Sequence, residues 1–157
     1  MTQIKFGTDG WRAIIAKEFT TDNVARVSLA VADFLNRKED NPSVVIGHDC
    51  RFAGEMFAET AAKVLAEKGV KVLLAKNFVS TPMVSLGVVN YKASIGIVIT
   101  ASHNPPSYNG YKLKGDFGGP LLPNDITSVE NLIPELNSVD LESIKMEDLV
   151  RDGKVEY

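Results

Sequence analysis

Three short apolar runs, "SVVIG" (43–47), "VKVLLA" (70–75) and "ASIGIVIT" (93–100), limit the fold of this chain more than any other feature. Each is too short for an ordinary helix, and near-continuous apolar content without polar alternation is what a strand buried on both faces requires. Helical patterns stand between them. Thr21 or Asp22 can cap a first helix with Val24, Val27, Val31, Phe34 and Leu35 at helical spacing, and Asn41-Pro42 breaks it. A second helix is expected over 54–68, with Phe57, Ala61, Val64 and Leu65 inward and Gly69 as its C′ residue. Thr81 and Pro82 read as N-cap and N1 of a third, whose Val84, Leu86, Val88 and Val89 are apolar on more than one side and predict a more buried helix. Pro123, Ile126, Val129, Leu132, Ile133 and Leu136 form one more helical set, after which the chain turns acidic and loses its period. Helices alternating with buried strands predict a layered α/β domain with a mostly parallel sheet. The opening "IKFGTDGWRAII" differs: two short apolar pieces around Gly7, Thr8, Asp9 and Gly10 predict a hairpin or an antiparallel edge.

A length of 157 residues with 45% hydrophobic content suits one core and one domain. The formal charge of −3 provides no global basic field, so no nucleic-acid or anionic-membrane partner is expected, and an anion must be held by local groups. Cys50 is the single cysteine, which excludes an internal disulfide framework and a cysteine-rich zinc site and fits a reducing, cytoplasmic setting. No apolar stretch is long enough to cross a bilayer as a helix.

Ligands of open α/β sheets sit outside the carboxyl ends of the strands. "TASHNPP" follows directly on "ASIGIVI", so Thr100, Ser102, His103 and Asn104 belong at that rim, with Pro105-Pro106 restricting the backbone. Asn109-Gly110 reads as a turn, and "YKLK" after it as a short strand with Lys112 and Lys114 on one face. If that turn folds the strand back along the loop, an ammonium comes near the Ser102 hydroxyl. His48, Asp49 and Arg51 follow the 43–47 strand, and Thr8, Asp9 and Arg12 lie in the N-terminal turn. Arg12 and Arg51 suit forked hydrogen bonds to phosphate oxygens, and lysine acts as a point charge. Each residue also has a structural reading. Asp49 and Arg51 can pair to pin their own loop, Arg12 can pair with Asp9, His103 can hydrogen-bond within the loop, Lys114 can be a solvated strand lysine, and Trp11 reads as packing.

"TASHNPPSYNGYK" and "KFGTDGWRA" resemble, in order and spacing, the phosphoserine loop and opening motif of the α-D-phosphohexomutases, the phosphoglucomutase and phosphomannomutase superfamily. The resemblance implies a three-layer α/β/α unit with a mostly parallel mixed sheet, the first of four domains, over 1–137, with 138–157 leading towards a second domain. It implies that Ser102 carries a phosphoryl group, that Lys112 takes part in proton transfer, that Arg12 lies near the phosphoserine, and that His103 and Asn104 are its loop neighbours. Thr8, Asp9 and Arg51, on the two loops expected at the same rim, are further candidate phosphate contacts. The implied reaction interconverts hexose 1-phosphate and hexose 6-phosphate, of glucose or mannose, with a hexose bisphosphate as intermediate and activator. The implied cofactor is one Mg²⁺, held by the Ser102 phosphate and an aspartate-rich loop of the second domain; no Asp-x-Asp occurs in this sequence. The chain thus reads as the catalytic-serine domain of a longer enzyme, folded but inactive by itself. Two rivals remain: a serine hydrolase, which lacks a G-x-S-x-G elbow here, and a non-catalytic phosphosugar or anion-binding module.

Overall fold

The computed structural model describes residues 3–7 and 10–157. Among them, six strands form one mixed sheet and five helices cover it, in the order β1 (Trp11–Ile14), α1 (Thr21–Asn36), β2 (Ser43–His48), α2 (Gly54–Glu67), β3 (Lys71–Leu74), α3 (Thr81–Tyr91), β4 (Ile95–Ile99), β5 (Tyr108–Gly115), α4 (Pro123–Leu132), α5 (Met146–Arg151) and β6 (Val155–Glu156). The strand order is β1-β5-β4-β2-β3-β6. β4, β2, β3 and β6 run parallel, while β5 is antiparallel to β4 and β1 antiparallel to β5. The fold is therefore the expected layered α/β/α domain with a mostly parallel mixed sheet, and the N-terminal segment is its antiparallel edge. Gly7 N–H donates to Gly10 O at 3.0 Å just before β1. β1 then pairs with β5, in place of a hairpin with the residues before it. Thr8 and Asp9 lie outside the described residues.

The apolar runs are strands because both faces of the sheet are covered. Every residue of β4 is buried. One layer, formed by α1, α2, α4 and α5, packs on the face that carries Val44, Ile46, Val72, Ile97 and Tyr111. The opposite face carries Val45 and Val98, against which Val84 and Val88 of α3 pack. Removing such side chains from water supplies about 1.5–3 kcal/mol each. No helix among the described residues is long and apolar enough to cross a membrane.

The elements depart from the sequence reading in ways that have local causes. Thr20, one residue before the two expected candidates, caps α1: its hydroxyl accepts from Asn23 N–H at 3.2 Å. Ser80 takes the cap position of α3, which moves Thr81 and Pro82 one step into the first turn. α3 is not the buried helix its composition predicts, since Leu86 is 59% exposed and Met83 and Val89 are also exposed. With its inner face on the sheet, it has no described layer beyond it. α4 stops at Leu132, because Ile133 precedes Pro134 and adopts an extended backbone. The acidic tail holds elements that no period announced: α5 buries Leu149, and β6 pairs with the outer edge of β3 with Val155 inward. Gly69 closes α2 at φ +83° as expected.

Asn109-Gly110 is not a turn. Both residues lie inside β5, opposite Ala13 and Arg12 of β1, and the chain reverses earlier, between Thr100 and Tyr108. Gly110 is required for space: a Cβ there would lie 2.5 Å from the Thr100 carbonyl oxygen and 3.0 Å from that of Trp11. Asn109 is fully buried and turns its Oδ1 onto Gly110 N–H at 2.9 Å.

Two expectations follow. Both crowding atoms at Gly110 are backbone atoms of neighbouring strands, so Gly110→Ala should lower unfolding stability by about 1–3 kcal/mol in denaturant titration. Tyr111 is wholly buried with its hydroxyl 3.1 Å from Ser28 Oγ, and burial pushes its ionisation far above the usual tyrosine range. Its contribution is complete below about pH 10, where the unfolded chain keeps the phenol proton, and is lost as pH rises further. Melts of Tyr111→Phe should therefore show a shallower loss of stability above pH 10 than the parent.

Candidate active site

The parallel strands β2, β3 and β4 deliver their carboxyl ends to one rim, and the loops after β2 and β4 meet there. Asp49 N–H donates to Ile99 O at 3.1 Å, carrying the β2–β4 pairing into the loops. Beyond Ile99 the chain makes two tight turns, with Asn104 N–H on Ala101 O and Tyr108 N–H on Pro105 O, both at 3.0 Å. Ile15 N–H holds the far end through Ser107 O at 2.8 Å.

Ser102 stands in the first of these turns with φ +51°, the left-handed region that a residue with a side chain seldom occupies. Its amide donates to Thr100 Oγ1 at 3.0 Å, and Thr100 Oγ1 in turn donates to Asp49 Oδ2. On the return strand β5, Lys112 lies opposite Val98 and is only 4% exposed. Its ammonium donates to Ser102 Oγ at 2.8 Å. A hydroxyl at a sheet's carboxyl rim, touched by a shielded cation, can carry a phosphoryl group: the ammonium offsets charge on the phosphate and on the serine oxygen when the ester bond breaks.

The structure brings most of the sequence candidates together. Arg12, on β1, donates through Nη1 to Asn104 Oδ1 at 2.8 Å, linking the N-terminal strand to the serine loop. His103 is exposed and makes no hydrogen bond among the described residues. Arg51 crosses from the β2–α2 loop to the serine loop: Nη2 donates to Ser102 O at 2.8 Å and Asn104 O at 2.7 Å, and Nη1 to Pro105 O at 3.0 Å and Tyr108 O at 3.1 Å. Its Nε lies 3.5 Å from Asp49 Oδ2. Arg51 thus holds the serine loop, and not merely its own as the pairing with Asp49 suggested. Lys114 shares the face of Lys112 but is not solvated; it is 8% exposed, with Gly96 facing it on β4. Trp11 is buried and stacks on Phe19 with ring centroids 4.6 Å apart, as packing. Thr100 is the site residue to which sequence reasoning gave no task. The signal for it was its place as the last residue of a buried run, one step before the turn that carries Ser102.

The residues present do not by themselves form a magnesium site. The described residues contain no group of three or more histidine, cysteine or acidic side chains able to hold a metal. Among the described residues, the carboxylate linked to this loop, Asp49, already accepts from Thr100 and from Arg51 N–H at 3.0 Å. A divalent ion needs about six oxygens, more than the Ser102 hydroxyl and the already engaged Asp49 provide among the described residues.

The comparisons with known proteins bear on the family and the fold. The family described as phosphoglucomutase/phosphomannomutase, alpha/beta/alpha domain I, matches residues 3–140. A phosphoglucomutase of Staphylococcus saprophyticus is 36% identical over 161 residues, covering 98% of this chain and 29% of that protein. A phosphoribomutase of Saccharomyces cerevisiae is 34% identical over 168 residues, covering 99% of this chain and 27% of its own length. Among solved structures, a Thermus thermophilus protein described as a phosphomannomutase superposes with a TM-score of 0.84 at 41% identity, over 87% of this chain and 31% of that one. The chain spans under a third of the length of each of these relatives. With the family matched across most of its length, and the same fold found in a solved relative, the chain belongs to the phosphoglucomutase/phosphomannomutase family, whose domain I it matches.

Proposed function

We propose that Ser102 is the phosphoryl carrier of a sugar-phosphate mutase acting on hexose 1- and 6-phosphates of glucose or mannose. The observation that carries this reading is the 2.8 Å contact between the Lys112 ammonium and Ser102 Oγ. In the forward half-reaction a sugar hydroxyl oxygen attacks the phosphorus of phosphoserine. The new P–O bond forms as the P–Oγ bond breaks, and the bonding pair stays on Ser102 Oγ. One proton in all passes from the sugar to the serine, because the proton the sugar hydroxyl releases restores whichever group protonates Oγ. Lys112 is placed to stabilise Oγ as charge develops there and to hand it a proton. After the bisphosphorylated sugar turns over in the site, the reverse step moves its other phosphate to Ser102 and releases the isomeric monophosphate.

Catalysis of this kind rests on positioning and charge, with little further covalent chemistry, and the rim supplies both. Arg12 donates to Asn104 on the same loop, which supports reading it as a second cation for the phosphoserine. Thr8, Asp9 and His103 are assigned to phosphate and sugar contacts on the sequence reading. Mg²⁺, if bound, would take one oxygen from the Ser102 phosphate and the rest from outside this chain, and it would supply charge neutralisation. Most of a relative's length lies beyond what this chain matches, so the complementary sugar and metal contacts are assigned to that remainder, and the chain by itself should show no turnover. A cytoplasmic setting follows from the proposed substrates.

Phosphate should be found on Ser102 and nowhere else in this chain when the enzyme that carries it is analysed by intact-mass and peptide mass spectrometry after incubation with a hexose bisphosphate. An unmodified Ser102 would leave a phosphosugar-binding module as the better description. Lys112→Met retains the aliphatic stem and removes the ammonium, so turnover in that enzyme should fall about 10²- to 10³-fold with the fold intact, measured by coupled glucose 1-phosphate to glucose 6-phosphate assay. Activity within twofold of the parent would remove Lys112 from the mechanism.

A further inference from the structure

We infer that Arg51 is a positioning residue that locks the Ser102 loop, and that it is not a ligand of the substrate phosphate. The inference rests on the reading of Ser102 as phosphoryl carrier and goes beyond it. Arginine has five N–H donors. In Arg51 the two on Nη2 point to Ser102 O and Asn104 O, the two on Nη1 to Pro105 O and Tyr108 O, and Nε faces Asp49 Oδ2. Both forks of the guanidinium are spent on carbonyls and the remaining N–H faces a carboxylate, so no pair of donors is turned towards an incoming anion.

The loop needs such a partner because of its own sequence. Pro105 and Pro106 have no amide N–H, so the turn has fewer internal donors than carbonyls. Four of those carbonyls converge on one guanidinium. A lysine in the same place would offer three donors from a single point and could not span acceptors on residues 102, 104, 105 and 108 at once.

The lock reaches the serine from both sides. Arg51 holds the Ser102 carbonyl at 2.8 Å, and Thr100 Oγ1 holds the Ser102 amide at 3.0 Å. Both lead back to Asp49, which accepts from Thr100 Oγ1 and from Arg51 N–H and faces Arg51 Nε. Asn109, buried beside them, donates to Phe52 O at 3.4 Å and ties the same β2–α2 loop to β5. A left-handed serine persists where its surroundings over-determine it, and here peptide groups on both sides of Cα are gripped. The consequence is that Ser102 Oγ stays at the Lys112 ammonium while the phosphoryl group arrives and leaves.

A positioning role and a phosphate-binding role diverge in conservative variants. If Arg51 positions the loop, Arg51→Lys and Arg51→Ala should both lower kcat by about 100-fold, the scale of a 1 Å misplacement of a reacting group, with KM for hexose monophosphate little changed. Hydrogen exchange at the amides of 102–108 should quicken in both, while α1 and β3 keep their protection. Free guanidinium ion should restore part of the Arg51→Ala rate. Thr100→Val, which removes the hydroxyl between Asp49 and the Ser102 amide, should act in the same direction, and Thr100→Ser should stay near the parent; this pair serves if an Arg51 variant does not fold. Near-parental kcat in Arg51→Lys, with a raised KM in Arg51→Ala, would make Arg51 a phosphate ligand and overturn the inference. Unchanged exchange over 102–108 would overturn it as well. Exchange reads the lock without turnover, so a wild-type enzyme without Ser102 phosphate but with a protected, Arg51-dependent loop would sink the mutase reading and leave the lock standing.

Discussion

The antiparallel pairing of β5 with β4 is the constraint on which the site depends. Parallel strands alone would send the chain away from its own carboxyl rim through a helix. Here the chain turns within a few residues after β4 and comes back along it, so Val98 faces Lys112 and a lysine ten positions after Ser102 meets its hydroxyl. The register also places Gly110 where three strands crowd, with Thr100 and Trp11 carbonyls on either side of it. A slip of one residue would turn Lys112 towards the face packed by α1 and α2, and Tyr111 away from Ser28. The bond between Lys112 and Ser102 and the bond that anchors Tyr111 in the core thus belong to consecutive residues on opposite faces of one strand.

Burying an ammonium is costly unless it has partners, and Lys112 lies at the wall of the domain with a neutral hydroxyl among its contacts. In the proposed phosphoenzyme the same hydroxyl bears about −1.5 to −2 charges, which is a better counterpart for that cation. Arg12, tied to the same loop through Asn104, would be a second cation for that proposed charge.

Much of this fold was legible because burial on both faces leaves a simple mark: three apolar runs became β2, β3 and β4 with small shifts at their ends. Illegibility had specific causes. Thr20, Thr21, Asp22 and Asn23 are four consecutive capping residues, and backbone geometry chooses among them. The apolar outer side of α3 reads as burial, although the described domain leaves it bare. A strand of two residues such as β6 is too short to show a period, and it forms because the edge of β3 accepts it. Asn109-Gly110 misleads because glycine serves two purposes that sequence does not separate, a positive φ in a turn and a close approach between strands; only the second operates here.

The site shows a similar division. Ser102 and Lys112 could be picked out because their partners are each other, two side chains with a recognisable spacing. Arg51 could be picked out as a cation but not given its task, because its partners are four backbone carbonyls, and any residue supplies a carbonyl. Counting donors and acceptors in the folded chain resolves what residue type leaves open. A guanidinium with four donors on backbone carbonyls and the fifth facing a carboxylate is a structural brace that happens to be charged, whereas an ammonium on a serine hydroxyl leaves a point charge at that oxygen. Two cations within one loop cluster therefore differ by geometry: the forked one braces the loop that holds Ser102, and the point charge meets the Ser102 hydroxyl, the atom that the proposed reaction would use.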